Sequence, residues 1–314
     1  MSKAQFPRET VTGTFNRRES SFRKWIEHGT EFEPAPNRYH LYLSYACPWA
    51  HRTLITRALK NLEDVISASF VDPVRDDKGW RFSTEGSPYF DCVNGFNYLS
   101  EAYKRTNSNY DKRVSVPVLW DKETGQIVNN ESSDIIIMLN DAFNSYTNSD
   151  LDLYPEELKH EIDELNDFIY THINNGVYKC GFTTDQNIYE SECNKLFNAL
   201  DRIDERLSGK TYLVQDKLTL ADIRLFPTLI RFDVVYYNHF KTNKKHIYEY
   251  ENLRPFLKNL YHREKIKPTV KFDEIKDHYF KTHQYINPTR IVPSGPDIIS
   301  RLGCRKQVEA VGTI

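Results

Sequence analysis

Ser44-Tyr45-Ala46-Cys47-Pro48-Trp49-Ala50-His51-Arg52 is the stretch whose reading decides the fold. Before it, Arg38 to Tyr45 is aromatic and alternates in polarity, which predicts a strand. After it, Leu54, Ile55, Ala58 and Leu59 recur on one face of a helical pattern that runs to about Asn61. Pro48 suits the first helical turn, where a missing N–H costs nothing. Cys47 is therefore expected at a helix N-terminus. Unpaired N–H groups and the helix dipole favour a thiolate there. A buried small cysteine is the ordinary alternative, but it leaves the proline and the flanks unexplained.

Working outward, Val65 to Val71 reads as a second strand, so the region opens strand, helix, strand, as a parallel pair does. Residues 72–97 are rich in Asp, Gly and Pro and read as an inserted loop carrying Trp80. A short helix near 96–105 leads to a strand over Val114 to Trp120. The turn Asp121 to Gly125 gives a hairpin to Gln126-Ile127-Val128. A helix starts near Ser132, with Ile135, Ile136, Met138 and Leu139 facing inward. Residues 37–145 thus form an α/β domain of order β-α-β-α-β-β-α. Residues 1–36 read as an arm packed on the body. A polar linker follows the α/β domain. Residues 154–285 then show helical spacing alone, near 156–175, 186–207, 219–237, 253–262 and 269–279. Residues 286–314 form a C-terminal extension. The fold class is α/β plus all-α.

Three further motifs carry chemistry or order. Pro117, after Val116, either opens a strand or takes the cis form that tight functional turns use. In a thioredoxin-like domain that loop faces the nucleophile and exposes the Val116 backbone. Asn130-Glu131-Ser132-Ser133 stands where a helix begins, with Ser132 or Ser133 as its cap. Free N–H groups there bind carboxylates, and Glu131 can pair with an amine. Thr219-Leu220-Ala221-Asp222 is a capping box with a structural role.

Position three after Cys47 is Ala50, so the second thiol of a Cys-x-x-Cys pair is missing. A lone nucleophile needs an external thiol, and glutathione is the abundant intracellular candidate. Its γ-glutamyl end carries both the amine and the carboxylate that the 130–133 motif suits. His51, one turn along the helix, is either a base for the thiol or a packing and hydrogen-bonding residue. No other protease motif accompanies it, which favours the second reading.

The formal net charge of the 314 residues is -2, which argues against nucleic acid or a membrane surface as partner. The five cysteines, at 47, 92, 180, 193 and 304, show neither disulfide nor zinc spacing. The histidines form no ligand cluster, and phosphate-loop and dinucleotide motifs are absent, so no metal and no nucleotide are expected. No apolar signal segment or membrane span is evident, and by elimination a soluble, cytoplasmic protein is expected.

Longer stretches narrow the reading. They include Cys47 to Thr53, Val116 to Asp121, Ile127 to Ser133, Asn174 to Lys179, Ala221 to Phe226, Arg231-Phe232-Asp233, His278-Tyr279 and Ile286-Asn287-Pro288. Over about residues 12 to 296 the chain resembles the S-glutathionyl-hydroquinone reductases, the xi class of glutathione transferases related to the omega class. The resemblance implies an N-terminal thioredoxin-like domain, a helical glutathione-transferase C-terminal domain and a homodimer. It implies that Cys47 takes glutathione from a glutathionyl-hydroquinone as a mixed disulfide, which a second glutathione releases. It assigns glutathione binding to Trp80, Arg113, Val114, Ser115, Val116, Pro117, Glu131 and Ser132. It makes Tyr178 the proton donor or acceptor, with Tyr236 and Tyr279 helping the thiolate and the phenolic substrate. Cys180, so close to Tyr178, is expected to be open to oxidation or glutathionylation. Two alternatives stand: an omega-like thiol transferase or dehydroascorbate reductase, and a non-catalytic binding module of the same fold.

Overall fold

The computed structural model describes residues 4–303. The arm contains a short antiparallel hairpin, β1 (Thr10–Val11) and β2 (Thr14–Phe15), turned by Gly13 at φ +85°. Phe15 is buried in the helical core. Further on, the Lys24 amide donates to Val128 and the Asn130 amide to Phe22, so the arm covers a sheet edge. The expectation that the arm packs on the body holds, and the hairpin is an addition that the polar sequence does not signal.

The α/β region holds a four-stranded sheet of order β4-β3-β5-β6. Its strands are β3 (Tyr39–Leu43), β4 (Ser67–Phe70), β5 (Val118–Asp121) and β6 (Gln126–Asn129). β3 pairs parallel with β4 and antiparallel with β5, and β5 pairs antiparallel with β6. The helices are α1 (Pro48–Leu59), α2 (Leu99–Thr106) and α3 (Ser132–Asp141). The order is the one the sequence predicts. The apparent alternation of β3 is not an inside–outside pattern, because all five residues are buried. His40 and Tyr42 are covered like their neighbours, as befits a central strand. The third strand starts only at Val118, and Val114 to Pro117 is loop.

The helical region comprises α4 (Lys159–Ile169), α5 (Gly176–Phe182), α6 (Gln186–Arg206), α7 (Leu220–Arg231), α8 (Tyr237–His239), α9 (Leu253–Tyr261), α10 (Phe272–Thr282) and α11 (Ile298–Arg301). Turns of π-helix at Tyr170–Asn174 and Phe232–Tyr236 follow α4 and α7. The capping box holds: Asp222 accepts from the Thr219 amide at 2.8 Å and also from Leu213 at 2.9 Å. Ile55 of α1 and Ile136 of α3 join the helical core, so the two regions share a buried seam. Residues 286–303 of the expected C-terminal extension are described and carry α11, whereas residues 304–314, with Cys304, lie outside the described residues.

Candidate active site

Cys47 caps the N-terminus of α1, directly after the loop that leaves β3. Two arginines fix this corner. Arg231, at the end of α7, donates to the carbonyls of Tyr45 at 2.8 Å and Ala46 at 3.0 Å. It also meets His51 Nδ1 at 2.9 Å, while His51 Nε2 lies 2.8 Å from Thr269 Oγ1. His51 is thus a buried hydrogen-bonding residue, and burial beside Arg231 pushes its pKa far down. Arg52 points back to Ser132 Oγ at 2.6 Å and lies 3.6 Å from Glu131. Burial lowers the Arg52 pKa to about 9, and the neighbouring Arg224 adds to this.

The Val116–Pro117 peptide is cis, and Cys47 Sγ donates to the Val116 carbonyl at 3.6 Å. Tyr103 shapes the approach to this turn. Its hydroxyl donates to the Ser115 carbonyl at 2.8 Å and accepts from the Ser115 amide at 3.2 Å. Val114 packs at the edge of the sheet core. Glu131, not Ser132 or Ser133, caps α3, accepting from the Ser133 amide at 3.1 Å. Burial raises the Glu131 carboxyl, but Arg52 and the hydrogen bonds from Ser133 and Ser20 outweigh it, and the net shift is downward.

Val116, which accepts from Cys47, lines a cavity of about 350 Å³ of which Cys47 itself is a neighbour and not a lining residue. Arg113, Ser115, Val116, Pro117, Glu131 and Ser132 all line it, together with Trp49, Arg224 and residues of the arm. Its volume suits a tripeptide-sized ligand. Its polar rim offers the N-terminal end of α3 for a carboxylate and Glu131 for an amine. Trp80 is set apart. It is 5% exposed, stacks on His278 at 5.1 Å and belongs to the sheet core.

The three tyrosines meet. Tyr178 and Tyr279 hydroxyls are 2.7 Å apart, and those of Tyr236 and Tyr279 are 2.9 Å apart. The π turn after α7 carries Tyr236, and α10 carries Tyr279. Tyr178 stacks on Trp49 at 6.2 Å, which links the cluster to the cavity wall. Burial pushes the Tyr178 phenol up and the nearby Cys47 adds to this, while Arg17 and Tyr279 pull it back. Tyr236 and Tyr279 are pushed well up by burial.

The sequence motifs include Arg52 and Arg231 without giving either a role, and they pass over Arg17 and Tyr103. An arginine inside the apolar run Leu225 to Phe232 signals a buried partner, so the role of Arg231 could have been found. Nothing local marks Arg17. Among the described residues, no group of three or more His, Cys, Asp or Glu could hold a metal ion. None of the described helices is long and apolar enough to cross a membrane.

Residues 46–142 match the model of the glutathione S-transferase N-terminal domain, and residues 186–261 that of the C-terminal domain. The chain is 45% identical to the glutathionyl-hydroquinone reductase PcpF of Sphingobium chlorophenolicum, over 93% of each chain. It is 46% identical to a glutathione S-transferase omega-like 2 of Schizosaccharomyces pombe, over 90% of this chain and 94% of that one. The crystal structure of the xi glutathione S-transferase of Phanerochaete chrysosporium superposes with a TM-score of 0.88 at 48% identity, covering 90% of this chain and 98% of the other. The glutathione-bound structure of YqjG from Escherichia coli gives 0.85 at 45% identity, over 88% and 92%. A thiol-bearing helix start, a cavity beside it and likeness along nearly the whole chain lead to one conclusion: this chain belongs to the glutathione S-transferase family, within its xi class.

Proposed function

We propose that this chain reduces S-glutathionyl-hydroquinones to hydroquinones at the expense of glutathione. The observation that carries the reading is the meeting of the Tyr178, Tyr236 and Tyr279 hydroxyls beside Cys47. Simple thiol transfer needs a thiolate and a glutathione site but no proton donor to carbon. Breaking an aryl C–S bond does need one, because the ring carbon that loses sulfur must gain a proton.

The Cys47 thiolate attacks the thioether sulfur. The C–S bond breaks, its electron pair stays with the ring, and the Tyr178 hydroxyl gives its proton to that carbon. Hydroquinone leaves, and Cys47 holds glutathione as a mixed disulfide. A second glutathione thiolate attacks the glutathione sulfur, freeing Cys47 and forming glutathione disulfide. The proton lost from that thiol restores Tyr178. Val116 and Pro117 hold the cysteinyl part of glutathione, Glu131 and Ser132 the γ-glutamyl end. Arg113, with Val114 and Ser115, serves the glycyl end, and the glutathione contact of Trp80, which is buried on His278 away from the cavity lining, rests on the family resemblance alone. The same reading carries a cytoplasmic homodimer, with residues 37–145 and 154–285 as its two domains; light scattering on the purified chain tests the dimer.

The first test is glutathione-dependent release of hydroquinone from glutathionyl-menadiol. Wild type turns over, Cys47→Ser is inactive, and Tyr178→Phe is slowed by roughly 10²-fold, the scale of general acid catalysis. If wild type ignores this substrate but reduces glutathione mixed disulfides, the activity is an omega-like thiol transfer. If Cys47 carries no activity at all, the chain is a binding module.

A further inference from the structure

Arg17 of the arm stands where no role has been assigned. Its guanidinium carbon lies 4.7 Å from the ring centroid of Tyr178 and 4.7 Å from that of Trp49. Its Nε donates to Asn175 Oδ1 at 2.8 Å. Asn175 immediately precedes α5, the helix that carries Tyr178. The cation and the phenol are therefore tied to one short piece of backbone. Arg17 also lines the glutathione cavity.

Burial and the facing Arg113 weaken the hold of Arg17 on its own proton, but a guanidinium stays charged in proteins. A fixed positive charge is thus kept over an aromatic ring at an enclosed site. The other groups facing Tyr178 are Cys47, which becomes negative when it reacts, and the uncharged hydroxyls of Tyr236 and Tyr279. When Tyr178 gives its proton to carbon, the charge left on its ring has Arg17 as counter-charge.

We propose that Arg17 is a positioning residue for the reductase reaction, supplying the positive charge against which Tyr178 loses its proton. This rests on the reductase reading above. The arm is then part of the reacting centre and not only a cover for the sheet edge.

The experiment is a double-mutant cycle on glutathionyl-menadiol. Arg17→Gln is made in wild type and in Tyr178→Phe, and kcat and KM are measured for all four proteins. With Tyr178 present, the loss of the cation lowers kcat roughly tenfold, the rate equivalent of a buried cation–π contact, with KM little changed. In the Tyr178→Phe background, where position 178 has no proton to give, Arg17→Gln changes kcat less than roughly twofold. Arg17→Lys keeps a cation and falls between Arg17→Gln and wild type. Equal losses in both backgrounds, or a loss carried by KM alone, overturn the proposal and make Arg17 a packing or binding residue. If Arg17→Gln melts far below wild type, Arg17→Lys goes through the same cycle, and its smaller loss must still vanish beside Tyr178→Phe. A wild type that releases no hydroquinone takes this proposal down together with the reductase reading, whereas release with additive losses overturns this proposal alone.

Discussion

At the scale of single residues, placement separates thiols that a sequence presents as equals. Cys47 is half-buried at a helix start beside a cavity, and Cys92 is exposed. Cys180 is 3% exposed and Cys193 2%. Hydrogen bonding with Cys193 and burial push the Cys180 thiol up, while the bond from Cys180 draws Cys193 down. Enclosure and the upward push on the thiol both weigh against the expectation that Cys180 is open to oxidation or glutathionylation. In native protein at neutral pH, a thiol reagent read out by peptide mass spectrometry should label Cys47 and Cys92 within minutes and leave Cys180 unlabelled. Labelling of Cys180 at the rate of Cys92 would refute its enclosure. The sequence made Cys47 legible because proline, strand and helix signals all bear on adjacent positions. It could not bring Tyr178, Tyr236 and Tyr279 together, since the three lie on separate elements and only tertiary packing joins them. Their assignment came through likeness to a family, and the structure supplies the contact.

At the scale of elements, most helices were legible and α5 was not. Gly176 and Gly181 fall within its seven residues and read as breakers. Both glycines serve close approach. A Cβ at Gly176 would stand 3.3 Å from Leu196 of α6. One at Gly181 would stand 2.2 Å from the ring of Phe240. Phe240 stacks on Tyr236 at 5.3 Å and packs against Tyr178 at 5.4 Å. Gly181→Ala must therefore push this ring against the tyrosine cluster. We expect it to cost about 1–3 kcal/mol, as overpacking does, and to slow hydroquinone release as well. Urea unfolding and the menadiol assay read the two effects. Unchanged values in both would mean that α5 and Phe240 part without resistance. The strand predicted from Val114 failed for a related reason. Ser115 is drawn to Tyr103, and this loop borders the cavity instead of joining a ladder.

At the scale of the whole molecule, both regions enclose ionisable groups, and one of them, His278, reaches across between the regions to the Pro73 carbonyl and the Trp80 ring. His40 in the sheet and His239 and His278 in the helical region are 0%, 4% and 8% exposed. Burial lowers each to about 3, with cationic neighbours adding to the effect. An unfolded chain binds a proton at each of these below about 6.5. Between about 6.5 and 3 the unfolded state therefore holds more protons than the native one, and stability falls as pH falls through that window. Each buried imidazole contributes a slope of about 1.4 kcal/mol per pH unit, and the three together about 4. The contribution of these three imidazoles should thus be nearly flat from pH 8 to 7 and be lost steeply below pH 6, while Asp222, raised by burial to about 7, works in the opposite sense over the same window. Replacing one of the three removes its share. His239→Gln retains a hydrogen-bonding group toward His283, which lies 3.1 Å away. On going from pH 6.5 to 5.0 this variant should lose about 2 kcal/mol less than wild type. Urea midpoints at the two pH values measure the difference. Parallel losses in the two proteins would mean that His239 is protonated in the fold or exposed to solvent, and that the packing of α8 against α10 is looser than its ring contacts indicate.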